Sequence, residues 1–249
     1  MKKKKKTVKK EITKKTSKKD SRVPSGIEGF DRLVEGGFKK DSINLVSGGP
    51  GSGKTIFALQ FLINGIKKFG ENSLYITFEE KKARLFDDVK EFGWDLEELE
   101  KQKKFIFLEY TPEQVKELLV EGGGIVENIV EKNKISRIVI DSISSFALLY
   151  KDELTKKEAS LALFELINSW NATALLTSQD KSAEEGSISA ALEFEVDSIV
   201  LLYHMKIKGE RVRALEILKM RGTKHSGSVY QIDISNKGLS INLNKKVNI

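Results

Sequence analysis

Eight consecutive residues, Gly48-Gly49-Pro50-Gly51-Ser52-Gly53-Lys54-Thr55, follow the spacing G-x-x-x-x-G-K-[ST]. That spacing suits one task. Successive backbone N–H groups must wrap a polyanion closely, so glycines without Cβ clashes or φ restrictions are needed. A helix opening near Gly53 and running through Ile56 adds the partial positive charge of its N-terminus to the phosphates. Lys54 is expected to reach the β- and γ-phosphates of a nucleotide, and the Thr55 hydroxyl to ligate Mg²⁺. Three more groups could complete such a site. The run Arg137 to Asp141 is an apolar strand that delivers an acid to the carboxyl edge of a sheet, where Asp141 would hold Mg²⁺, through a water. Glu79-Glu80 end another strand and offer a carboxylate to polarise an attacking water; the alternative is that both merely favour the start of the next helix at Lys81. Gln179, after Ser178, places a neutral amide where it could sense the γ-phosphate.

Positioning these groups requires an alternation of strands and helices, which the apolar periodicity supplies. Strands are expected over 42–47, 73–78, 104–109, 137–141 and 172–178, and helices over 55–69, 81–92 and 155–170. A helical stretch over 112–133 is expected to break at Gly122-Gly123-Gly124, and a short helix is expected around 29–34. Beyond Asp197 the pattern changes to strands alone: a hairpin of 198–207 and 212–220 around Lys208-Gly209-Glu210, then strands near 229–234 and 239–243. The fold class is therefore α/β, a mainly parallel twisted sheet flanked by helices with antiparallel strands at its C-terminal end.

Composition narrows the chemistry. With 249 residues, 39% of them hydrophobic, the chain suits one sizeable domain. It has no cysteine, which excludes disulfides and thiolate metal sites, and its two histidines, His204 and His225, lie far apart in the sequence. No apolar run approaches the roughly 18 residues of a membrane span and no signal peptide opens the chain, so a soluble, cytoplasmic protein is expected. Residues 1–20 hold eleven lysines against Glu11 and Asp20, a net +9, which leaves 32 basic and 34 acidic side chains over 21–249. Residues 1–21 are therefore read as a disordered tail and 22–249 as the folded domain. Without arginine or aromatic residues, that tail offers nucleic acid only weak, salt-sensitive binding.

Three segments together resemble the KaiC ATPases, relatives of the circadian clock protein within the RecA superfamily. These are RVPSGIEGFDRL over Arg22 to Leu33, followed by Gly36-Gly37 and the phosphate loop; ITFEE over Ile76 to Glu80; and LKMRGTKH over Leu218 to His225. The resemblance covers roughly 22–243 as one such domain. It implies a RecA-like P-loop core in a homo-oligomeric ring, a hexamer, with ATP between neighbours. Glu79 is the member of its pair that the resemblance favours for activating water, although sequence position alone does not rank it against Glu80. It also implies that Lys219 and Arg221 reach the neighbour's γ-phosphate, and that Thr223, Lys224 and His225 lie near its ribose and base. Lys219 and Arg221 are two apart on an expected strand, so both are expected on one face, where two cations could neutralise transition-state charge.

The sequence also departs from the clock protein, which carries two such domains in tandem and, in the second, a Ser-Thr phosphoacceptor pair. Registered on Asp197-Ser198-Ile199, this chain has Glu193-Phe194 there, with Ser187 and Ser189 out of register, so autokinase activity is not expected. Three functions follow: a KaiC-type ATPase acting as a switch or timer for a protein partner, a nucleic-acid-binding ATPase of recombination or repair, and a nucleotide switch with negligible turnover. Between 180 and 195 a single lysine, Lys181, faces Asp180, Glu184, Glu185, Glu193 and Glu195, which disfavours a phosphate backbone there.

Overall fold

The computed structural model describes residues 22–122, 124–147, 149–150, 152–179 and 195–248. The lysine-rich tail, and Ser187, Ser189, Glu193 and Phe194, lie outside the described residues. In chain order the elements are β1 (Arg22–Val23), α1 (Phe30–Leu33), β2 (Phe38–Lys39), β3 (Ile43–Gly48), α2 (Lys54–Phe69), β4 (Asn72–Thr77), α3 (Lys82–Asp88), α4 (Leu96–Lys101) and β5 (Phe105–Glu109). They continue with α5 (Pro112–Val120), α6 (Gly124–Asn133), β6 (Ile135–Asp141), α7 (Ile143–Ala147), α8 (Glu153–Ser169), β7 (Thr173–Ser178), β8 (Ser198–Ile207), β9 (Glu210–Met220), β10 (Tyr230–Ser235) and β11 (Gly238–Lys246).

Nine strands form one sheet in the order β11-β10-β9-β8-β3-β7-β6-β4-β5. From β8 to β5 every neighbour is parallel, and β8 to β11 are antiparallel. The parallel strands are apolar on both faces because both are covered. Val46, Tyr75, Val139 and Leu175 pack with α2, α3 and α4 on one side, while their neighbours Leu45, Ile76, Ile140 and Leu176 pack with α5 to α8 on the other. No helix among the described residues is long and apolar enough to cross a membrane.

The connection from β3 to β4 passes over β7 and β6, so α2 lies across β6, β7 and β4. This places the first turn of α2 above the carboxyl ends of the parallel strands, the position where open α/β sheets bind ligands. Farther along, buried Gln60 of α2 donates to Leu239 O (3.0 Å) and accepts from Leu239 N (2.7 Å), which ties the helix to edge strand β11.

Several local expectations are corrected. The expected helix over 81–92 is α3 followed by a tighter turn at Lys90–Phe92, with Gly93 at φ 69° ending it. Helix α4 went unread; Asp95 caps it by accepting from Glu98 N at 2.9 Å. Strand β9 begins at Glu210, because Lys208 and Gly209, at φ 48° and 94°, make a two-residue turn of the kind that matches strand twist. The small β1–β2 pairing was also unread, since two-residue strands carry no periodicity.

Candidate nucleotide site

The phosphate loop leaves β3 at Gly48 and enters α2 at Lys54. Gly51 and Gly53 take φ of 72° and 103°, a region side chains disfavour. A Cβ on Gly48 would stand 2.2 Å from Leu202 O of β8, so this strand end tolerates only glycine. No acidic residue occupies the first turn of α2 and no side chain caps it, which leaves the positive end of a 16-residue helix open to an anion. Lys54 Nζ donates to Gly48 O (2.8 Å) and Gly49 O (3.1 Å), folded over the loop it belongs to. The Ser52 hydroxyl is buried within this cradle without a hydrogen-bond partner. Pro50 is exposed at the rim, and Ile56 anchors the helix start in the core.

Asp141, at the end of β6, collects three hydroxyls. Thr55 donates to its Oδ2 at 2.9 Å, Tyr75 to the same oxygen at 2.8 Å, and Thr177 to Oδ1 at 2.5 Å. Burial, reinforced by Asp141, pushes the Tyr75 hydroxyl well above the ordinary phenol range, so it remains a neutral donor. The Thr55 hydroxyl and Asp141 are a donor set for a hydrated divalent cation. Among the described residues no three His, Cys, Asp or Glu cluster as a metal cage. Phosphate oxygens and water would therefore complete the shell, the mode characteristic of Mg²⁺. The orphaned Ser52 hydroxyl, the glycine cradle and this pair all fit Mg-ATP.

The two glutamates diverge. Neither makes a capping hydrogen bond to α3, whose N-cap position is Lys81. Glu79 Oε1 accepts from Ser142 at 3.2 Å and from Ser145, and its Oε2 accepts from the Gln179 amide at 3.3 Å. The carboxyl of Glu80 is raised above the ordinary glutamate range, first by burial and then by Asp141 and Asp88. A raised carboxyl binds its proton more tightly folded than unfolded, so stability falls as pH climbs from the ordinary glutamate value through the raised one and stays lower above it. Glu80→Gln is therefore expected to raise the melting temperature by about 1–3 °C near pH 7.5 and to leave it unchanged near pH 4. A variant less stable than the wild type near neutral pH, measured by calorimetry at both values, would contradict this assignment.

The C-terminal motif lies elsewhere. Strand β9 runs antiparallel to β8, and its end, with Lys219 opposite Ile199, lies at the amino edge of the parallel sheet. The phosphate loop leaves the opposite edge, where Gly48 pairs with Leu202. The two are separated by several residues of strand, on the order of 10–15 Å. Within one chain, Lys219, Arg221, Thr223, Lys224 and His225 do not join Lys54, Thr55, Glu79, Asp141 and Gln179. Lys219 Nζ donates to Val196 O (2.8 Å), Arg221 N to Asp197 O (2.8 Å), and the His225 ring lies 3.1 Å from Ser226 O. The expectation that Lys219 and Arg221 both lie on the strand is corrected. Strand β9 ends at Met220, so Arg221 sits in the turn that follows it.

The other end of the hairpin supplies residues that sequence reading missed. Arg213 and His204 pair across β9 and β8; Arg213 Nε donates to Gly51 O at 2.8 Å, and a Cβ on Gly51 would stand 3.1 Å from His204 Nδ1. A hairpin adjacent to β3 thus braces the loop from the side. Only the register of β8 on β3, which sequence does not print, could have identified them.

The KaiC ATPase family model matches residues 23–246. Circadian clock protein KaiC3 of Synechocystis is 34% identical over 225 residues, covering 87% of this chain and 44% of that protein. The chain thus spans less than half the length of this clock relative. The UPF0273 protein MJ1359 of Methanocaldococcus jannaschii is 32% identical over 237 residues, 88% of this chain and 96% of that one. Among solved structures, the KaiC-like protein PH0186 of Pyrococcus horikoshii superposes with a TM-score of 0.79 at 32% identity, covering 89% of this chain and 98% of that chain. A match that runs the length of one such unit, on a sheet order and a phosphate loop that agree with it, places the chain in the KaiC family of RecA-type P-loop ATPases.

Proposed function

We propose that this chain hydrolyses ATP at the interfaces of a homo-oligomeric ring, a hexamer, and serves in the cytoplasm as a switch or timer for a protein partner. The observation that carries the shared site is the placement of Lys219 and Arg221 at the sheet edge opposite their own phosphate loop. Cations of a family motif that lie away from the nucleotide of their own chain can serve a neighbour's. Thr223, Lys224 and His225 follow them toward that neighbour's ribose and base.

Within one subunit, the loop N–H groups and Lys54 hold the phosphates, and Thr55 with Asp141 would hold Mg²⁺. The ion, when bound, neutralises phosphate charge. Glu79 takes a proton from a water aligned on the γ-phosphorus; a bond forms from that oxygen to phosphorus while the bond to the β,γ-bridging oxygen breaks and ADP departs. Gln179, bonded to Glu79 and ending β7, is suited to register the γ-phosphate.

Light scattering after size exclusion, with phosphate release followed on the same sample, tests this reading with two variants. Arg221→Ala and Lys54→Ala are each expected to be inactive alone, and mixed equally to regain roughly a tenth or more of wild-type turnover, because some interfaces pair an intact loop with an intact Arg221. A monomer that binds ATP and releases no phosphate would favour the nucleotide switch. Rings whose mixtures stay inactive would refute action across the interface.

A further inference from the structure

Glu79 lies beyond the end of β4 on an exposed segment, where a glutamate ordinarily samples many rotamers. Holding such a side chain in one arrangement costs conformational entropy. A carboxylate that must face a single water needs something to restrict it. Here the restriction comes from the segment that follows Asp141. Ile143 and Phe146, three apart, are buried and anchor α7 in the core. Ser142 and Ser145, also three apart, share the adjacent side, and both donate to Glu79 Oε1. Both serines are themselves buried, at 2% and 8% exposure, so their hydroxyls have few competing partners in water. Ser144 points to the other neighbouring strand tip: its Oγ accepts from Gln179 N at 2.8 Å and lies 3.3 Å from the Ser178 hydroxyl. One short helix therefore holds the tip of β4 and the tip of β7 together, and the Gln179 amide closes the circuit on Glu79 Oε2.

We propose that Ser145, assisted by Ser142, is a positioning residue for the hydrolytic carboxylate, and that Ser144 links the γ-phosphate-sensing strand to the same helix. This rests on the reading of Glu79 as the water-activating group. The hydroxyl acts through Glu79 and not on the nucleotide. Its removal therefore slows the chemical step without weakening nucleotide binding, and has no further effect once Glu79 can no longer act.

Steady-state phosphate release by the full chain, for Ser145→Ala, Ser145→Thr, Glu79→Gln and the Ser145→Ala/Glu79→Gln double variant, tests this. Glu79→Gln is expected to lower kcat by on the order of 100-fold or more. Ser145→Ala is expected to lower kcat about 10- to 30-fold with KM for Mg-ATP within about twofold of wild type. Ser145→Thr, which keeps the hydroxyl, is expected to recover most of that loss, and the double variant to be no slower than Glu79→Gln alone. Three results overturn the proposal: a Ser145→Ala kcat within about twofold of wild type while Glu79→Gln is slow, a raised KM, or a double variant slower by the full Ser145→Ala factor. The first leaves the hydrolytic role of Glu79 standing. A Glu79→Gln protein as fast as wild type removes both readings together. Should Ser145→Ala not fold, Ser145→Cys, similar in size and a weak donor, carries the same comparison.

Discussion

Lys54→Ala is expected to cut phosphate release by on the order of a thousandfold while the nucleotide-free protein melts within about 2 °C of wild type. The Lys54 ammonium folds onto two of the loop's own carbonyls, at 2.8 and 3.1 Å from Gly48 O and Gly49 O. Burial lowers its pKa, and Asp141 and Glu79 counteract that. A polyphosphate offers it a stronger partner than two neutral carbonyls, and the charge developing on the transferred phosphoryl group strengthens that contact further. The expected loss therefore falls on turnover as well as on binding. A second readout separates the two. At a ligand concentration about 100 times Kd, binding stabilises the native state by about 2.7 kcal/mol. In a chain of this size that is a melting shift of roughly 5–10 °C, and Lys54→Ala should show a small fraction of it. A variant that hydrolyses ATP at the wild-type rate would remove Lys54 from the mechanism.

The largest stability effect is expected at Arg137, far from any phosphate. Its side chain is fully buried, with Nη1 donating to Phe61 O at 2.9 Å, Nε paired with Glu71, and the guanidinium over the Phe61 ring at 4.6 Å and the Phe69 ring at 5.2 Å. Burial lowers its pKa, which the Glu71 carboxylate partly offsets. A Cβ at Gly65 of α2 would stand 2.5 Å from the arginine Cδ and Nε, so that helix position is shaped around the guanidinium. Arg137→Ala removes a buried, hydrogen-bonded cation and opens a cavity between α2 and β6. The expected cost is about 3–5 kcal/mol, seen as a melting decrease of roughly 6–20 °C. Arg137→Met should cost distinctly less, since a similar volume fills the space and half-exposed Glu71 can turn to water. Equal stability of the alanine variant and the wild type in thermal denaturation would contradict this account. Because β6 carries Arg137 near its start and Asp141 at its end, loss of this anchor should also loosen the site.

The chemistry was legible from sequence wherever backbone and side chain act locally. The loop from Gly48 to Thr55 declares itself because close wrapping of a phosphate dictates glycines, and because the residues before and after it have strand and helix patterns. Asp141 was legible because an apolar strand ending in an acid projects that acid from a sheet edge. Gly122, at φ 71° just past α5, and the hairpin turn at Lys208-Gly209 were legible for the same reason: few residues accept those backbone angles. The residues that went unread act across the sheet. Tyr75 and Thr177 reach Asp141 from β4 and β7 only because those strands flank β6. Arg137 opens an apolar strand in the sequence, and its burial depends on how α2 crosses the sheet.

By itself, the sequence determined the alternation of strands and helices, the phosphate loop, the acid at the end of β6 and the antiparallel C-terminal strands, because each follows from periodicity or from backbone freedom over about ten residues. The tertiary structure alone decided which strands are neighbours. That order sets Thr55 on Asp141, brings Ser142 and Ser145 to Glu79, lays Arg213 against Gly51, and sends Lys219 and Arg221 to the far edge. Strand order is a contest among long-range pairings of similar local appeal, settled by how the helices cover both faces, and no short window of residues contains that information.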